Sequence, residues 1–147
     1  MPNWCMNSLY IRGNKKQIKK FKTRAKDKSN DSDLSMDKIV PEPKKADGTE
    51  SDNWYDWRCD NWGTKWDIDA DLVCDDEEML EYSFDSAWAP PSEFIIRASQ
   101  LFKKLSFLLK YDEPGMGFSG LFRAKKGFVV EDQYIETGDF WEEEVEK

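Results

Sequence analysis

Acids, tryptophans and lysines are the residues of this sequence whose numbers and spacing suggest chemistry or a gripped partner. Histidine is absent, which removes His-based triads, His general bases and His metal ligands together. The densest acidic run is Asp67, Asp69, Asp71, Asp75, Asp76, Glu77 and Glu78. Numbered as a calcium loop it places carboxylates at positions 1, 3, 5, 9 and 12, but position 6 is Leu72, where an EF-hand needs glycine for its sharp turn. The alternation of Ile68, Ala70 and Leu72 with those acids fits a half-buried strand whose carboxylates face solvent. Cys5, Cys59 and Cys74 are scattered and contain no Cys-x-x-Cys spacing, a poor zinc set and one suited to a reducing cytoplasm. Glu113 lies in Tyr-Asp-Glu-Pro-Gly between two expected strands, where turn chemistry accounts for the Pro and Gly. No G-x-x-x-x-G-K-[ST] phosphate cradle occurs. The expectation is therefore a non-enzymatic protein with no metal and no cofactor.

The tryptophans carry the positive signal. Trp4, Trp54, Trp57, Trp62, Trp66 and Trp88 surround Gly63, Pro90 and Pro91. Each indole can bury a large area while its N–H seeks an acceptor. Two readings stand side by side. In one they form a core cluster that welds an insertion to a sheet. In the other they line an open groove, rimmed by Asn61, Thr64 and Lys65 and reaching Glu113, that receives a peptide or a base.

Charge is unevenly placed. The net charge is −8, yet residues 1–28 hold nine Lys/Arg against one acid, including Lys15, Lys16, Lys19, Lys20 and Lys22. Such asymmetry points either to solvated faces or to a charged partner.

The elements that must hold these residues follow from periodicity. The 147 residues suit one domain, placed at residues 1–135. Trp4 to Arg12 alternates with period 2 and reads as a central strand. Asn14 can cap a helix whose apolar stripe is Ile18, Phe21 and Ala25. Residues 29–52 are polar and read as a loop, pinned by Met36, Ile39 and Val40. Residues 53–63 read as a short inserted helix, with Asp52 as its cap and Gly63 at C′. Alternation from Lys65 to Cys74 and from Met79 to Ser86 predicts a hairpin with Trp66, Ile68, Ala70, Leu72 and Cys74 facing one way. A second helix follows Pro90–Pro91, with Ile95, Ala98, Leu101, Phe102 and Leu105 inward. Phe107 to Asp112 is a further strand, and residues 115–134 a hairpin turning at Lys125-Lys126-Gly127. Residues 136–147 form an acidic tail in which Phe140, Trp141 and Val145 among Glu142–Glu144 read as either a docking segment or a frayed end. Without the insertion and the final hairpin, this order is that of an α+β ferredoxin-like sandwich: an antiparallel sheet with two helices on one face. No apolar run approaches the length of a membrane span.

Five stretches, MPNWCMNSLYIRG, MDKIVPEP, NWYDWRCDNWGTKWD, FDSAWAPP and YDEPGMGFSG, together resemble the ferredoxin-like domain of the Api92-like proteins of phages, prophages and plasmids. The resemblance implies a ferredoxin-like fold and a mobile-element origin, and brings no catalytic set with it. The expected role is an accessory protein in the host cytoplasm that binds a host or defence protein through an acidic, aromatic-bearing surface, anti-CRISPR-like inhibition being one form. The alternative is a nucleic-acid or nucleotide binder that uses sheet aromatics and the basic first helix.

Overall fold

The structure, a computed structural model, describes residues 3–136. The expected docking segment around Phe140, Trp141 and Val145 lies outside them. Six strands and four helices run in the order β1 (Trp4–Arg12), α1 (Lys15–Ala25), α2 (Met36–Ile39), α3 (Trp54–Asn61), β2 (Ala70–Asp75), β3 (Met79–Ala87), α4 (Ser92–Leu101), β4 (Ser106–Glu113), β5 (Phe118–Lys125) and β6 (Phe128–Glu136). The sheet order is β2-β3-β1-β4-β5-β6 with every pair antiparallel. β1 and β2 flank β3, which is the split β-α-β arrangement of a ferredoxin-like fold; β5 and β6 extend it by the expected hairpin.

Register decides the faces. Cys5, Leu9 and Ile11 point to the helices together with Leu80, Tyr82, Phe84, Phe107, Leu109 and Phe122, and all are buried. Ile18, Phe21 and Ala25 of α1 close over them, with Phe21 edge-on to Tyr82, Phe102 and Phe107. Asn14 Oδ1 accepts the Gln17 N–H at 2.9 Å, so the helix starts where a capping residue can satisfy an orphan donor. On α4 the stripe differs from the expected one. Phe94 and Ile95 are buried while Leu101 stands 55% exposed, because the helix stops at Leu101 and the chain beyond it turns Phe102 and Leu105 back to the core.

The hairpin of β2 and β3 also departs from simple alternation. β2 begins at Ala70, not Lys65, and a bulge at Val73 shifts the register so that Cys74 pairs with Glu81. Ala70 and Leu72 face the helices as expected, whereas Cys74 crosses to the opposite side, since one extra residue inverts everything after it. The loop over residues 29–52 carries α2 and two isolated bridges, Asp27–Ser32 and Lys44–Glu50. Met36, Ile39 and Val40 are all buried, so the expected pin is in place.

Candidate functional site

The six tryptophans divide into two groups. Trp62 is 1% exposed, and its indole N–H donates to the Val40 carbonyl at 3.0 Å. Trp57 packs edge-on against it. Between Trp54 and Trp62 lies the Arg58 guanidinium, 4.7 and 5.6 Å from the two ring centroids. Arg58 grips Glu42 in a two-pronged pair at 2.5 and 2.9 Å and also donates to the Lys65 carbonyl at 3.2 Å. Glu42 is nearly inaccessible; the Arg58 hydrogen bonds hold its carboxyl below the usual range against the opposing effect of burial. Bidentate charge-assisted contacts of this kind combine geometric specificity with strength. Asn61 donates to the Trp57 carbonyl, and the Thr64 hydroxyl to the Ala87 carbonyl, so both are occupied inside the fold. Gly63, at φ +85°, ends α3 as expected, and a Cβ there would sit 3.2 Å from the Ser92 nitrogen. This corner is the weld between the insertion and the start of α4, not a groove.

The second group stays outside. Trp4, Trp66 and Trp88 are 44%, 39% and 44% exposed. Trp4 and Trp66 stand 6.1 Å apart, and the Lys65 ammonium lies 4.3 Å over the Trp66 ring. Trp88 follows Ala87, which pairs with Trp4, and has φ +70°, a left-handed conformation that costs a bulky residue about 1–3 kcal/mol. Hydrogen bonds impose it: the Trp88 N–H donates to the Asn3 carbonyl at 2.8 Å, and the Ser86 hydroxyl to the Ala89 carbonyl at 2.6 Å. The buried Asn7 side chain steadies Ser86 from behind at 2.9 Å. Register places Asp85, Met6 and Asp112 in one cross-strand row beside Trp4, on the face away from the helices. Trp4 with Trp66 beside it, a 47% exposed Met6 and two carboxylates therefore share one surface, and the exposed Trp88 follows the strand residue that pairs with Trp4.

Glu113 does not join it. The carboxylate is 1% exposed and accepts the Gly115 and Met116 N–H groups at 3.1 and 2.5 Å, bracing the turn before β5. Cys5 nearby is inert: burial first, and the Glu113 charge second, push its thiol up to about 12, which keeps the reactive thiolate unpopulated. Among the described residues no group of three His, Cys, Asp or Glu side chains is placed to hold a metal ion.

The acidic run also splits. Asp67 accepts from the Ser35 hydroxyl at 2.7 Å and from the Met36 and Asp37 N–H groups at 2.7 and 3.2 Å, so it caps α2 from across the chain. Asp75 and Glu77 pair with Lys22 and Lys15. Asp69, Asp71, Asp76 and Glu78 stand exposed. The open face of β3 presents Glu81, Ser83 and Asp85, while Tyr82 and Phe84 turn inward. A stacking platform of the kind expected for sheet-bound RNA needs aromatics at those outward positions.

Residues 61–147 match the model of the ferredoxin-like domain in Api92-like protein. The chain belongs to this family. The central strand β1 lies outside the matched family span, although both of its edges are paired within the same sheet. Among solved structures, the crystal structure of a protein api92 from Yersinia pseudotuberculosis aligns at 23% identity and a TM-score of 0.53. The alignment covers 70% of this chain and 39% of that one, so the chain spans well under half of that family relative. The likeness concerns the fold. No curated protein matches the chain. Among the described residues no helix is long and apolar enough to cross a membrane.

Proposed function

We propose that the chain acts by binding another protein, not by catalysis, and that the contact surface is Trp4, Trp66 and Trp88 with Asp85 and Asp112 beside them. The observation that carries this reading is the outward placement of three indoles in a fold that buries Trp62 completely. Aromatic anchors concentrate binding energy at protein interfaces, and the left-handed Trp88 is held in place before any partner arrives, which lowers the ordering cost of association. The carboxylates in the same row favour a basic partner surface, since complementary fields steer encounter. The family resemblance to phage and plasmid proteins makes a host or defence protein in the host cytoplasm the expected partner, with its nucleic-acid-binding site the part obstructed.

The test is affinity capture from nuclease-treated host lysate with the wild-type chain and with Trp66→Ala. A partner retained at low salt, weakened at moderate salt and lost with Trp66→Ala supports the reading. Equal capture by both chains, or none by either, refutes it.

A further inference from the structure

Four of the five lysines of α1 divide into two groups. Lys15, Lys22 and neighbouring Lys26 lean toward β2 and meet Glu77, Asp75 and Asp33 at 3.1, 2.9 and 3.0 Å. Lys16, Lys20 and Arg24 recur at four-residue spacing on a different stripe, as helical geometry requires, and no described acid pairs with them. Arg24 ends that stripe 5.9 Å over Phe102, the residue immediately before the exposed Lys103 and Lys104. The start of α1 comes to the same place, since a Cβ on Gly13 would stand 3.3 Å from the Lys104 carbonyl. On the far side, the β5–β6 turn brings Lys125 and Lys126 alongside, with the Gly127 N–H donating to Ser99 of α4 at 2.9 Å. Three segments that are remote in sequence thus deliver seven cations along α1 and to one end of the sheet, on the side away from the β2–β3 turn, whose exposed Asp76 and Glu78 adjoin Gly13. Phe128, 71% exposed, stands in the same turn.

We infer that this end is a second binding surface, distinct from the tryptophan patch, and that it takes the sugar–phosphate backbone of a nucleic acid. The chemistry selects that class. Lysine is depleted at protein–protein interfaces, whereas Lys and Arg contacts to phosphates supply sequence-independent nucleic-acid binding. Of the two lysines in the first turn of α1, where the helix dipole already disfavours positive charge, Lys15 is met by Glu77 and Lys16 has no described acid; a phosphate beside Lys16 relieves it. The exposed Phe128 ring offers a base a face to stack on. Asp85 and Asp112 of the tryptophan patch lie six residues along β3 and β4 from Met79 and Ser106, roughly 20 Å away, which is beyond the ~8 Å screening length at physiological salt.

The test is fluorescence anisotropy of a labelled 20-base DNA of mixed sequence, single-stranded and as a duplex, at 50 and 200 mM NaCl. For about four phosphate contacts the affinity falls roughly 100-fold across that range. Lys16→Gln with Lys20→Gln, and separately Lys103→Gln with Lys104→Gln, each reduce the salt slope by about 2. Lys22→Gln leaves it unchanged, and Phe128→Ala weakens the single strand alone. Trp66→Ala retains DNA binding whether or not the protein-binding reading survives. Absence of binding at 50 mM NaCl, an equal loss with Lys22→Gln, tighter binding of polyglutamate than of DNA, or salt-sensitive self-association in place of binding overturns the inference.

Discussion

Trp62 and Trp66 lie four residues apart and experience opposite surroundings. Trp62 finds an acceptor for its N–H, an edge-on neighbour in Trp57 and a guanidinium over its face. Trp66 has Trp4 on one side, the Lys65 ammonium over its ring, and water. An indole becomes core where its polar atom is satisfied and its faces are covered together. Where only one face is covered, it remains available to a partner. Gly63 between them makes the division, because its left-handed turn reverses the chain against α4.

The strongest way to break the comparison is Trp62→Ala. Removing a fully buried indole costs about 3–5 kcal/mol, and urea unfolding followed by far-UV circular dichroism is expected to show a midpoint collapsed toward zero denaturant. Glu42→Gln comes next. It leaves Arg58 between two rings with only the half-exposed Glu50 and the Lys65 carbonyl as partners, so the cost should fall below the roughly 3–5 kcal/mol of a fully broken buried pair. Because the folded carboxyl titrates below its unfolded value, the pair's stabilisation is complete above the unfolded carboxylate range of about 4.3 and fades as pH falls through the lower, folded value. Urea midpoints of wild type and Glu42→Gln should therefore converge on acidification and diverge toward pH 7.

Gly63→Ala is smaller, about 1–2 kcal/mol, from the left-handed backbone and the tight approach to Ser92; it sharpens the comparison by loosening the hinge without removing either indole. Trp66→Ala should move stability least, within about 0.5 kcal/mol as for other surface substitutions, yet abolish partner capture. A stability loss as large as that of Trp62→Ala would show that the two indoles do the same job.

Much of this architecture was legible because its signals are local. The period-2 runs at Trp4–Arg12 and Met79–Ala87, the Asn14 cap and the Lys126–Gly127 turn each specify themselves within a few residues. The split of the tryptophans was not legible. It depends on the Val40 carbonyl and the Glu42 carboxylate meeting α3 and the residue after it; the side chain of Val40 signals a pin, but a backbone acceptor and an acid in a polar loop carry no such signal. Arg58 was open to discovery from spacing alone, since it lies one helical turn after Trp54 and one before Trp62. Asp67 reads as surface in the sequence because three of its donors come from the start of α2 and its N-cap, thirty or more residues earlier. The bulge at Val73 leaves no mark in composition, so simple alternation puts Cys74 on the opposite side of the sheet from the one it occupies. The lysine end was half visible: α1 announced itself, whereas Lys103, Lys104, Lys125 and Lys126 join it only once β4 and β5 are paired.

That gathering of like charge at one extremity has a practical corollary at the chromatography bench. A resin bead touches one patch of a molecule at a time, and it responds to local potential before overall sign. A chain of net charge −8 would ordinarily pass straight through sulfopropyl medium at neutral pH. Here the lysine stripe of α1 and the Lys125–Lys126 turn can face the bead while Asp85 and Asp112 lie about 20 Å away and Asp76 and Glu78 sit to one side, so the same preparation should be retarded by both sulfonate and quaternary-ammonium columns.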